Sequence, residues 1–182
     1  MQSSKIIKNG YQPESIVWPD KDAIDLPVVK PILLINLKHS LFKRIYTFLT
    51  QRPRFIVKED YFCYVKTIGA YIWIPANFVY DFASVPKFIP FIHPVGILAY
   101  PALPHDCMYR FGCLLLSEGP GHSFVPVNFS RRRADKIFLD LAKETNGLNV
   151  ICSASTAFIR LFGGMNYSPR DILIEDWNNL VY

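Results

Sequence analysis

From Phe55 onward the spacing of apolar residues changes its period once, and a proline-interrupted apolar stretch separates the two regimes. Between Phe55 and Val79 the apolar residues come in short runs, Phe55-Ile56-Val57, Tyr61 to Thr67 and Tyr71 to Ile74, divided by Glu59-Asp60 and Gly69-Ala70. Runs of this length rich in aromatic and β-branched residues predict strands, and the short gaps suit antiparallel hairpins. After Ala102 the apolar positions recur at helical spacing instead. The stretch Phe88 to Leu103 carries Pro90, Pro94 and Pro101. It is too short for a membrane span and cannot run as one helix, so it is expected to be an irregular apolar loop that covers a core or lines a site. Strands followed by helices imply an α+β fold, with a small antiparallel sheet and then a helical part.

The helical part divides at its breakers. Ala102 to Leu116 is expected to be a helix that carries His105-Asp106, with His105 and Tyr109 one turn apart on one face. Ser117-Glu118-Gly119-Pro120-Gly121 ends it. A second helix follows Asn128-Phe129-Ser130 and stops at Asn146-Gly147, a left-handed stop signal. Ala134, Ile137, Phe138 and Leu141 form its apolar stripe, and Asp135 borders that stripe, where a carboxylate often reaches inward. A third helix, about Val150 to Phe162, ends at Gly163-Gly164.

Upstream, residues 1–30 with Pro13, Pro19 and Pro27 read as an extended N-terminal arm. Residues 31–182 read as a single domain, opening with a strand at Ile32 to Leu37 and a short helix at Ser40 to Thr50 that Arg52-Pro53-Arg54 ends. No chemistry is assigned to the tail from Ser168 to Tyr182.

Composition removes several classes of function. With 182 residues and 51% hydrophobic content, the chain can bury one substantial core but not comfortably two. Cys63, Cys107, Cys113 and Cys152 are too scattered for a zinc ribbon or a redox pair and too few for a disulfide scaffold, so buried reduced thiols are expected. His39, His93 and His122 lack partners at ligand spacing, which argues against zinc. Neither a nucleotide motif nor a nucleic-acid motif is present. The first ten residues lack the apolar core of a signal peptide, so synthesis in the cytoplasm without a standard secretion route is expected. The net charge of +5 fits either an anionic partner or ordinary solvated faces.

His105-Asp106 is the place where chemistry is expected. A histidine near its normal pKa can take a proton, a neighbouring carboxylate can hold a cation, and a carboxylate from another helix can orient the imidazole. The bland alternative is a histidine at a helix start with an acidic residue complementing the dipole. Asp81 and Ser84 are candidates for the same site, or else turn residues that bond nearby backbone. No nucleophile elbow surrounds Ser84, which makes it a candidate substrate contact.

Two resemblances follow from these residues. Ile-Pro-Ala-Asn-Phe-Val-Tyr-Asp-Phe-Ala-Ser-Val-Pro at 74–86, His105-Asp106-x-x-Tyr109 and Arg133-Ala134-Asp135-x-x-Phe138 resemble, over about 55–162, the domain of unknown function 1353 found in tailed phages and prophages. Asn77 stands where that family usually shows glycine, and Tyr80 where it usually shows a small hydroxyl residue. The resemblance implies a phage or prophage gene but no activity.

His-Asp-x-x-Tyr-Arg, Arg-x-Asp-x-x-Phe-x-Asp-Leu and a helix ending in Arg-x-Phe-Gly are similar to the helical core of prokaryotic phospholipases A2. That similarity implies His105 as general base, Asp135 as its orienting carboxylate and Tyr109 as a supporting hydroxyl. It also implies Asp106 and Asp81 as calcium ligands; Ser84 and Arg133, each within a resembling motif, are candidate substrate contacts. The flanking cysteines of the secreted phospholipases are absent, and the separation of His105 from Asp135 is longer. The expectation is therefore a phage-encoded, calcium-dependent hydrolase of a lipid or cell-envelope ester. The competing expectation is a non-catalytic virion, tail-assembly or host-interaction protein, in which the same polar residues stitch helices to the sheet.

Overall fold

In the computed structural model of the chain, residues 13, 16–22, 26–32, 40–43, 54–80, 98–147, 149–163 and 167 are described. Asp81, Ser84, the loop at 88–97, the strand expected at 33–37, residues 44–50 of the expected early helix and the tail at 168–182 lie outside them. Residues 41–43 are helical. Among the described residues the chain forms strands β1 (Val29–Ile32), β2 (Arg54–Val57), β3 (Tyr61–Val65), β4 (Ala70–Ile74) and β5 (Val79–Tyr80), then helix α1 (Ala99–Phe111). Strands β6 (Cys113–Ser117) and β7 (Val125–Asn128) follow, and helices α2 (Arg131–Asn146) and α3 (Asn149–Phe162) complete the order.

The fold is α+β as expected, but it contains two antiparallel sheets, β1-β2-β5 and β3-β4-β6-β7. The gap at 58–60 closes no hairpin. It carries the chain from one sheet to the other, and the Asp60 carboxylate accepts the Ala76 N–H at 2.8 Å. β2 pairs instead with β1 and β5, and the Asn77 N–H donates to the Val57 carbonyl at 2.7 Å. Asn77 sits there at φ 67°, a left-handed conformation that glycine adopts freely and asparagine better than most other residues.

The second correction concerns the His105 helix. It begins at Ala99, with Pro101 in the first turn where a missing N–H costs little, and ends at Phe111 rather than Leu116. Gly112 at φ 70° forms a left-handed cap whose N–H donates to the Met108 carbonyl at 2.8 Å. Cys113 to Ser117 then becomes β6, buried along its whole length between β4 and β7. A continuously apolar run is compatible with either a buried strand or a buried helix, so periodicity alone does not separate them.

The core joins the larger sheet to the helices through Ile72, Ile74, Leu103, Met108, Leu114, Phe124, Ile137 and Phe138, all fully buried. α1 packs on β6 and β5 with one side and on α2 with another, and α2 packs in turn on α3. In the N-terminal arm the Trp18 ring stacks on Phe124 at 5.7 Å and meets Tyr71 edge-on at 4.9 Å. All four cysteines are free and buried, and burial pushes the Cys63 and Cys113 thiols up to about 11.

Candidate functional site

The face of α1 that meets α2 carries His105 and Tyr109, spaced one turn apart, with ring centroids 4.1 Å from each other. Across from them α2 presents Asp135, which is only 2% exposed although it carries a carboxylate. Ser130 sets that helix in place by accepting the Arg133 N–H on its side chain, and Gly147 closes it in a left-handed cap. Ala134, Ile137 and Phe138 then face the core and carry Asp135 in beside them.

A buried carboxylate is costly unless its oxygens are satisfied. Here one oxygen, Oδ1, accepts two bonds, from the Tyr109 hydroxyl at 2.6 Å and from His105 Nε2 at 3.2 Å. Because an ionised carboxylate only accepts, the imidazole proton on that side belongs to Nε2. His105 is itself 5% exposed and packs on the Phe138 ring at 5.1 Å. Its other nitrogen, Nδ1, lies 3.7 Å from Asp106 Oδ1, too far for a hydrogen bond but close enough for charge to act.

These contacts move the proton affinities in opposite senses. Burial works against a charged His105, yet the bond to Asp135 and the charges of Asp106 and Asp135 outweigh it and lift the imidazole above its usual 6.5. Burial likewise works against a charged Asp135, but the bonds from His105 and Tyr109 and the charges of His105 and Arg131 hold its carboxyl below the ordinary value. Tyr109 is pushed upward by burial and by its bond to Asp135.

Arg131 extends the network. Its Nε donates to the Tyr109 hydroxyl at 3.3 Å, and its terminal nitrogen donates to the carbonyls of Ile159, at 3.4 Å, and Arg160. Three helices therefore share one string of polar groups. Beside it opens a cavity of about 580 Å³, lined among the described residues by Arg131, Arg132, Asp135 and Arg160.

The structure thus brings together His105, Asp106, Tyr109 and Asp135, four of the residues singled out from sequence. Asp81 and Ser84 lie outside the described residues. Arg133 is on the exposed side of α2, outside the cavity lining, with its backbone N–H spent on the Ser130 cap. Arg131, not singled out from sequence, is the arginine that reaches the cluster. Its position four residues before Asp135 puts both on one helix face, and that spacing was the available signal.

Among the described residues no group of three or more His, Cys, Asp or Glu side chains is placed to hold a metal.

A family model described as a protein of unknown function (DUF1353) matches residues 55–154, more than half of the chain, and this range contains His105, Asp106, Tyr109, Arg131 and Asp135. No curated protein and no solved structure matches the chain.

Proposed function

Because the chain belongs to the DUF1353 family, which brings no activity with it, we propose its function from the site: a hydrolase of a lipid or cell-envelope ester, with His105 as general base. The observation that carries this reading is the double use of Asp135 Oδ1, which accepts His105 Nε2–H at 3.2 Å and the Tyr109 hydroxyl at 2.6 Å. With its Nε2 proton held there, the imidazole presents Nδ1 as its basic nitrogen. Nδ1 takes a proton from water as the oxygen attacks the ester carbonyl, and the imidazolium returns that proton to the departing alkoxide. Asp135 keeps the ring in one tautomer and stabilises the charge it gains, a role like that of the buried carboxylate in hydrolytic triads. Tyr109 and Arg131 hold Asp135 and the helices in register.

Calcium, with Asp106 and Asp81 as its residues, belongs to the proposal through the phospholipase resemblance, and substrate contacts by Ser84 and Arg133 belong to it as candidates from the sequence motifs. No step above depends on the metal. A tailed-phage or prophage gene and synthesis in the host cytoplasm complete the reading, on sequence resemblance. No helix among the described residues is long and apolar enough to cross a membrane.

The test is fatty-acid release from phospholipid vesicles by the purified protein, with calcium and with a chelator. Wild type should release fatty acid, and His105→Gln should lose on the order of 10²-fold or more in rate. Absence of release by wild type, with and without calcium, would count against the hydrolase. One observation favours a second reading as a non-catalytic virion or tail-assembly protein: the network ties α1, α2 and α3 together around a histidine that is 5% exposed. On that reading His105→Gln changes stability alone.

A further inference from the structure

We infer that the cavity between the start of α2 and the end of α3 is a binding site for a phosphoryl group. Three arginines, Arg131, Arg132 and Arg160, line its wall, and the acidic residue among its described lining is Asp135. That carboxylate is already matched by His105 Nε2. Among the described residues no acidic side chain forms an ion pair with Arg132 or Arg160, and both are exposed. Like charges gathered in this way repel one another, and an anion placed among them removes the repulsion.

The three arginines have different tasks. Arg131 is spent on Tyr109 and on the carbonyls of Ile159 and Arg160, so the negative end of α3 does not face the cavity uncovered. Arg132 and Arg160, one on each helix, are the arginines of the lining from which a ligand would draw its forks. A planar carboxylate has two oxygens and is filled by a single fork. A phosphoryl group offers three non-bridging oxygens in a tetrahedral array and can take a fork from each side, which arginine serves better than lysine. A volume of about 580 Å³ holds that group together with the organic part attached to it.

Because Asp135 also lines the cavity, a ligand anchored there lies beside the His105 cluster. If the hydrolase reading stands, its substrate is an ester that carries a phosphoryl group; the anion site itself does not rest on that reading.

The experiment is calorimetric titration of the full chain with inorganic phosphate, with glycerol 3-phosphate and with glycerol, at fixed ionic strength, alongside sedimentation with phosphatidylglycerol or phosphatidylcholine vesicles. Saturable binding of both phosphates and none of glycerol is expected. Arg132→Ala/Arg160→Ala should weaken binding about tenfold or more, whereas Lys136→Ala, an exposed charge one turn further along α2, should leave it within about twofold. Both substituted arginines are exposed, and circular dichroism confirms folding before binding is compared. Binding of free phosphates without vesicle capture identifies a soluble ligand, and capture of phosphatidylglycerol vesicles that the double variant loses identifies a headgroup. Failure of both phosphates to saturate, or equal affinity in the double variant, overturns the site. Phosphate binding without ester release leaves the site and removes the hydrolase; release of neutral esters without phosphate binding does the reverse.

Discussion

Asp135→Asn is the most exacting perturbation, because it keeps the shape of the side chain and removes only its charge. In the folded protein two bonds end on one carboxylate oxygen, at 2.6 Å from Tyr109 and 3.2 Å from His105. A hydrogen bond to a charged group contributes roughly 1.5–3 kcal/mol and a neutral one roughly 0.5–1.5, so each downgraded bond loses about 1 kcal/mol. The imidazolium left without its buried partner adds to this, within the roughly 3–5 kcal/mol ceiling for breaking a buried pair. The expected cost is about 2–3 kcal/mol where the pair is charged.

The signs fix the pH window. His105 has its folded pKa raised above 6.5, so its share of the stability is complete below about 6.5 and is lost as pH rises through the folded value. Asp135 has its folded pKa lowered below 3.8, so its share is present above that value and is lost as pH falls through the folded one. Urea unfolding should therefore show the gap between wild type and variant at its widest between about pH 4 and 6.5, narrowing toward about 2 kcal/mol as pH rises through the folded value of His105, where the bonds from Tyr109 and from the neutral imidazole remain. A gap below about 0.5 kcal/mol at pH 5.5, or one that does not narrow at all toward alkaline pH, refutes the charged pair.

Two further substitutions probe the supports of the site and of the sheet. A Cβ added at Gly163 would come 3.0 Å from the Tyr109 hydroxyl and 3.1 Å from its ring. Gly163→Ala should thus cost about 1–3 kcal/mol in urea unfolding and shift the tyrosine ultraviolet signal; an unchanged midpoint would mean that Tyr109 is not held in place. Asn77 occupies φ 67°, so Asn77→Val should lose about 1–2 kcal/mol while Asn77→Gly stays within about 0.5 kcal/mol of wild type, and equal effects would rule out the left-handed turn.

What could be read from sequence was what is encoded within a turn or two of helix. The Ser130 and Gly147 caps fixed α2 at both ends, and the position of Asp135 on the border of the apolar stripe pointed it toward α1. Trp73 and its neighbours stood out as strand residues through their β-forming side chains. The pairing of β2 with β1 and β5 was not legible, because strand partnership is decided by residues distant in sequence. Nor was β6, since Leu114, Leu115 and Leu116 are covered on both sides and lose the alternation that marks a half-exposed strand. A basic run at a helix start opposes the dipole, so local rules gave no reason to bring Arg131 inward. That local penalty is offset by carbonyls at the end of α3 and by the Tyr109 hydroxyl, all remote in sequence.

The four buried thiols give this fold a set of internal clocks. Cys63 lies in β3, Cys113 in β6, Cys107 in α1 and Cys152 in α3, so each of these elements carries one thiol that reagent reaches only when its surroundings open. Desolvation also keeps these sulfurs protonated and slow to react while they are covered. Cys107 stands two residues beyond His105. The rate at which it is alkylated therefore times the exposure of the histidine helix itself, independently of any substrate.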